Sequence, residues 1–300
     1  MAAAYWPAGG TVSRILVPLD ESELAEEALP WAAALARALG ASLHLATVWT
    51  HDEDIWLRAG VDASAAPARI AQALDQYLAG VAARAAFEGL TVTYESRIGN
   101  VAQDLRDIAA EGETRLVVIT SHGRSGLKRM VQGSVADALV RTTHLPVLVV
   151  HPGEHPAAFR RMLCTLDGSE TGELALPVAR EFANALGASL HLLRVVNPVG
   201  DVVWSGVGPA PDLAGLTDQL TAAAQAYLAE KALPGETTDV LYGRPLDAIL
   251  ECADTRNCDA IVMGTHGRGG IVRLALGSTT DAVVRASKRP VLVVPPPDRD

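Results

Sequence analysis

Apolar and polar positions fall into blocks along this chain. "ILVPLD" (15–20) is a short continuous apolar run closed by an acid, the pattern of a strand buried on both faces. Ser22 opens a helical pattern that runs to about Leu39 and stops at Gly40, so Ser22 is expected as an N-cap and Gly40 as a left-handed C-cap. Pro30 falls inside this helix, and Pro177 stands at the matching place later in the chain. Each is expected to kink its helix or loosen one turn. A second strand is predicted over 41–49, a helix over about 66–88, a strand over 91–97 and a helix over 101–111. A strand over 115–120, a helix from Ser134 to about Thr143 and a last strand in "PVLVV" (146–150) complete the first half. The second half repeats this order, with "ASLHLLRVV" (188–196) as its second strand and "PVLVV" (290–294) as its last. Strands alternating with helices predict an α/β fold: in each half a doubly wound parallel sheet, covered on both faces and joined by right-handed crossovers.

The halves are an internal duplication. Residues 14–48 and 161–195 share 21 of 35 positions, and 116–150 and 260–294 share 17 of 35. A period near half of 300 residues is too long for a solenoid repeat, so two globular domains are expected. They are placed at 12–150 and 160–296, with a loose leader at 1–11, a proline-rich polar linker at 151–159 and a tail at 297–300.

Composition narrows the function. Apolar residues make up 49% and the net charge is −10, with no basic stripe, which argues against a nucleic-acid face. No apolar run is long enough for a membrane span, and the leader lacks the pattern of a secretory signal. Three cysteines, Cys164, Cys252 and Cys258, form no C-x-x-C pair and fit a reducing, cytoplasmic setting, where they read as small buried hydrophobes.

The candidate chemistry sits after the fourth strand of each half. In a doubly wound sheet, ligands bind beyond the carboxyl ends of the strands where strand order reverses. Asp20 and Asp167 are expected to end the first strands, and Thr120 and Gly264 the fourth. Gly264, Thr265, His266 and Gly267 read as a tight turn in which glycine permits positive φ and close approach of a ligand. Gly277 and Ser278 then open a helix, whose first turn offers free N–H groups to a phosphate. Ser278 and Thr279 add hydroxyls and Arg268 adds charge. The first half has Gly123, Arg124, Gly133, Ser134 and Val135 at the matching places. The alternative for these residues is a sharp turn and a capped helix with no ligand. Dinucleotide, phosphate-loop lysine and nucleophile-elbow motifs are absent. His122 and His266 lack metal-ligand spacing, and His44 and His191 read as structural histidines in mid-strand.

At these residues the chain resembles the universal stress protein family. The spacing G-x2-G-x9-G-S is met by Gly264, Gly267, Gly277 and Ser278, while the first half carries Thr120 in place of the first glycine and keeps Gly123, Gly133 and Ser134. "PLDESELAEEAL" and "LPVLVV" add to the likeness. The resemblance implies Rossmann-like five-stranded sheets in order 3-2-1-4-5, with the two domains related by pseudo-twofold symmetry. It implies ATP as ligand, with main chain at Val48 and Val195 against the adenine. It places Asp20 and Asp167 near the ribose or a magnesium ion. A stress-response protein that binds ATP as a sensor or regulatory ligand, and is not an enzyme, is the function it implies. The alternatives are an interaction or scaffold module with vestigial pockets, and a slow ATP-hydrolysing or phosphotransfer enzyme.

Three further expectations follow. The two "PVLVV" strands pair within the chain, hiding two apolar edges, and a homodimer of the whole chain is a further option. The loops carrying Trp56 and Trp204 are read as lids, the alternative being that each tryptophan packs on its own domain or at the domain interface. The second half binds nucleotide better, because Thr120 is β-branched where Gly264 is not.

Overall fold

Pro30 has no N–H to give the carbonyl of Glu26, and the helix divides at Glu27, three residues before the proline. The computed structural model, which describes residues 13–50, 66–84, 87–121, 134–153, 159–197, 213–265 and 276–297, has α1 at Glu23–Glu26 and α2 at Ala28–Leu39. The second half repeats the break, with α6 at Glu170–Glu173 and α7 at Ala175–Leu186 around Pro177. Serines cap both short helices: Ala25 N–H donates to Ser22 Oγ and Gly172 N–H to Ser169 Oγ. Both long helices end on a left-handed glycine, Gly40 and Gly187.

The chain divides into two units, the first holding the described residues up to Gly153 with Pro297, the second running from Phe159 to Pro296. In the first, β1 (Arg14–Pro18) pairs in parallel with β2 (Ser42–Trp49) and β4 (Thr114–Thr120). β3 (Val92–Ile98) lies outside β2 and β5 (Val147–Val150) outside β4. The order is β3-β2-β1-β4-β5. The crossovers carry α3 (Ala66–Ala82), α4 (Val101–Glu111) and α5 (Ser134–Thr142). The second unit repeats this as β8 (Thr237–Tyr242), β7 (Ser189–Val196), β6 (Arg161–Thr165), β9 (Ala260–Gly264) and β10 (Val291–Val294), with α8 (Leu213–Lys231), α9 (Pro245–Thr255) and α10 (Ser278–Ala286). Burial is continuous along β1 and β4 and does not alternate, so helices cover both faces of the sheet.

Two boundaries differ from expectation. α3 stops at Ala82, because Arg84 N–H turns back to Val81 O and Phe87 N–H to Arg84 O, placing Phe87 in the core. β1 and β6 end at Pro18 and Thr165, so Asp20 and Asp167 lie two residues beyond the strands and do not end them.

Glu21 and Gly168 occupy the same turn in the two units, at φ 63° and 76°. An L-residue held there carries about 1–2 kcal/mol of strain, partly offset by glycine's greater freedom in the unfolded chain. Glu21→Gly is therefore expected to stabilise the first unit by about 0.5–1 kcal/mol in urea unfolding. Destabilisation would show that the contacts of the Glu21 side chain outweigh the strain.

Candidate functional site

Strand order reverses at β1/β4 in the first unit and at β6/β9 in the second. Past β6, Asp167 folds back on its own turn. Its Oδ1 accepts from Ser169 N–H at 3.0 Å and Ser169 Oγ–H at 2.6 Å. Asp20 does the same with Ser22, at 3.1 and 2.5 Å. Each carboxylate therefore orients the serine that caps the next helix, and one oxygen of each is committed to that task.

On the other side of the switch point, two hydrogen bonds tie the end of β9 to the start of α10, and a third ties it to the end of β10. Gly277 N–H donates to Thr265 O at 2.6 Å, Thr280 Oγ–H to Gly264 O at 2.8 Å, and Thr265 N–H to Val294 O at 3.1 Å. Gly277 caps α10 with no side-chain hydrogen bond, and the first intrahelical bond runs from Asp281 N–H to Gly277 O. The amides of Ser278, Thr279 and Thr280 thus precede the helical ladder, at the positive end of the helix dipole. Ser278 is exposed and Thr279 half-buried.

One expectation about these glycines is corrected. Gly264 does not take positive φ. What comes close to it is protein: a Cβ there would lie 2.9 Å from Thr171 O and 3.1 Å from Gly172 Cα, both in α6. Gly277 sits at φ −57°, ψ 142°, which any residue can adopt, and its N–H is spent on Thr265. In the first unit Thr120 is buried at the end of β4, and Ala136 stands where Thr280 makes its bond. Val135 is half-buried in the first turn of α5, which Ser134 opens. Gly123, Arg124, Gly133, Gly267, Arg268, His122 and His266 lie outside the described residues, as do Trp56, Trp204 and the loops that carry them.

Main-chain parity places Val48 and Val195. In a parallel ladder a residue's N–H and C=O point to the same side, and successive residues alternate. Ala46 O accepts from Leu19 N–H on the β1 side, and Trp49 O from Gly99 N–H on the β3 side. Val48 therefore faces the β1 side, past the end of β1. Val195 does the same past β6, since Leu193 O accepts from Leu166 N–H and Val196 O from Gly243 N–H.

Sequence reasoning missed Arg194. It is buried at 6% exposure at the end of β7, donates to Leu166 O at 3.1 Å, and lies 5.8 Å from the Tyr227 ring. Together with Gly168, Val196, Leu220, Ala223, Ala224 and Tyr227 it lines a cavity of about 170 Å³ beside the turn of Asp167. Tyr227 OH donates to Glu173, which also takes Lys231, so α8 is fastened to α6 along one wall. Burial and the Glu173 contact push the Tyr227 phenol upward, so it stays a neutral donor. The first unit keeps the tyrosine bond (Tyr77 to Glu26, 2.9 Å) but carries Thr47 in the place of Arg194, buried and with Oγ1 lacking a hydrogen-bond partner. The available signal was a charge inside "SLHLLRVV", a run otherwise fit for the core.

A family model described as "Universal stress protein family" matches residues 11–151 and again 158–295. A universal stress protein of Mycolicibacterium smegmatis is 31% identical over 216 residues, covering 69% of this chain and 70% of that protein. One of Mycobacterium tuberculosis is 27% identical over 306 residues, covering 93% and 94%. Among solved structures, a universal stress protein of Archaeoglobus fulgidus superposes with a TM-score of 0.71 at 20% identity, covering 99% of both chains. That last likeness is one of fold.

Proposed function

This chain belongs to the universal stress protein family, and we propose that its second unit binds an adenine nucleotide, ATP in the first instance, as a regulatory ligand. The observation that carries the reading is the start of α10: a helix with no side-chain cap, tied by two hydrogen bonds to the end of the neighbouring strand at the switch point. The phosphates are assigned to the amides and hydroxyls of Ser278 and Thr279. The adenine is assigned to the main chain of Val195, past the end of β6. Asp167 is assigned to the ribose or to a magnesium ion; as a metal ligand it would share a carboxylate whose Oδ1 already accepts two hydrogen bonds. These groups fit a nucleotide in kind: amide donors for the phosphates, main-chain donor and acceptor for the base, a carboxylate for hydroxyl or cation.

The reading is of a binding protein. Asp20 and Asp167 each spend an oxygen on a serine hydroxyl that is itself committed to capping a helix, so hydrolysis is treated as incidental. A cytoplasmic location and a role in stress response belong to the same reading. Among the described residues no helix is long and apolar enough to cross a membrane. Pairing of the two "PVLVV" strands and homodimerisation rest on the sequence alone. Failure of separately expressed halves to reassociate would remove the first.

The test is direct. Protein purified without added nucleotide, then denatured, is expected to release adenine nucleotide on chromatography, and the stripped chain to bind ATP in calorimetry. Neither nucleotide nor heat at millimolar ATP would leave the second reading, an interaction module. That reading is already favoured for the first unit by Thr120, Ala136 and the unpartnered hydroxyl of Thr47.

A further inference from the structure

Away from the strand ends, the second unit gathers three side chains with metal-ligand chemistry. His191 on β7, Asp239 on β8 and Cys252 on α9 bring a ring nitrogen, a carboxylate oxygen and the thiol sulfur within 4.8 Å of one another. His191 and Cys252 are buried, whereas Asp239 is partly exposed on β8, an edge strand of its unit's order.

The surroundings are built to hold these groups. His191 Nδ1 lies 2.7 Å from Thr237 Oγ1, and Nε2 lies 3.1 Å from Asp239 Oδ2. Arg256 clamps the carboxylate, Nε to Oδ2 and Nη2 to Oδ1, both at 2.7 Å. A partner on the far ring nitrogen and a donor on the carboxylate are what orient ligands around a bound metal.

The first unit supplies an internal comparison. His44 Nδ1 meets Thr93 Oγ1 at 2.8 Å, and Nε2 lies 3.8 Å from Glu95 Oε2. The histidine, threonine and acid are thus common to both units and serve the fold. The thiol is not: Ile108, seven residues into α4, stands where Cys252 stands seven residues into α9.

We propose that His191, Asp239 and Cys252 bind one divalent cation of the zinc type per chain, with water in the fourth position. The ligand set selects the ion. Thiolate and imidazole suit zinc or cobalt, while magnesium and calcium prefer all-oxygen sites. The ion takes the place of the proton between Nε2 and Oδ2. The imidazole's single proton moves from Nε2 to Nδ1, where it is donated to Thr237, and the Nε2 lone pair turns on the ion. Cys252 loses its proton to solvent, one per ion bound, and Arg256 stays on the carboxylate.

Cobalt(II), titrated into the reduced, chelator-washed full chain, is the probe. One equivalent is expected to give a thiolate-to-cobalt charge-transfer band with the visible bands of a four-coordinate ion, both erased by added zinc. Cys252→Ser and His191→Ala are expected to lose the thiolate band, whereas Cys258→Ser and His44→Ala keep it. Thr237→Val, which removes only the partner of Nδ1, is expected to weaken cobalt binding by about 10-fold. The proposal is overturned if the unaltered chain shows no thiolate band, or if the band survives Cys252→Ser. The first result needs no variant, so misfolding of a variant cannot hide it.

Discussion

Gly264→Thr is expected to destabilise the second unit by about 3 kcal/mol, the upper part of the usual range for overpacking. The new Cβ would meet main chain, Thr171 O at 2.9 Å and Gly172 Cα at 3.1 Å, and main chain cannot rotate out of the way. The whole of α6 would have to move off β9. That helix is held by the Ser169 cap, by Asp167 behind it, and by Glu173 bonded to Tyr227 and Lys231. Threonine is the fair test because Thr120 occupies the matching place in the first unit, buried at the end of β4. Gly172→Ala is the control. Its Cβ would meet the Asp167 carboxylate, a side chain that can turn aside, and the first unit carries Ala25 at that position. It is expected to cost less stability than Gly264→Thr. Urea unfolding followed by circular dichroism reads both. If Gly264→Thr unfolds like the parent chain yet loses ATP binding, the glycine serves the ligand and not the packing of α6.

Much of this fold was legible in the sequence because its signals are local. Continuous apolar runs gave the strands, Pro30 and Pro177 gave the broken helices, and the duplication gave two units. The misreadings arose where tertiary contacts decide. The alanine-rich stretch after Val81 keeps helical propensity, and only the turn that buries Phe87 ends α3. Asp20 and Asp167 close apolar runs and so read as strand ends, but the hydroxyl two residues on draws each carboxylate into a turn. The spacing of Gly264 marked a place where something approaches the backbone closely. It carried no information on whether that neighbour is a ligand or the helix that holds Thr171 and Gly172. Arg194 showed only as a charge in an apolar strand; its meeting with Gly168 and Tyr227 depends on two crossovers. The amides at the start of α10 were legible in kind, because glycine followed by hydroxyl residues at a helix start carries its own physical reason.

Gly277→Val is expected to lower ATP affinity by about 100-fold, or about 2.7 kcal/mol, with little loss of stability. The backbone at Gly277, φ −57° and ψ 142°, suits valine as well as glycine, so its dihedrals impose no strain on the variant. The added bulk stands at the cap of α10, immediately before the amides of Ser278 and Thr279 assigned to the phosphates. Gly133→Val, the matching change in the first unit, is expected to leave most of the affinity in place. The asymmetry rests on what surrounds each site. In the second unit Thr280 bonds Gly264 O and Arg194 puts a buried positive charge beside the turn of Asp167. In the first unit Ala136 cannot make the corresponding bond and Thr47 brings no charge. A buried cation favours an anionic ligand more strongly than one in water, and the hydroxyl bond fixes the helix start before the ligand arrives, which lowers the ordering cost of binding. Calorimetric titration of both variants against the parent chain decides the matter, with circular dichroism to establish that each is folded. Equal residual affinity in the two would make the sites equivalent, and a loss confined to Gly133→Val would reverse the assignment.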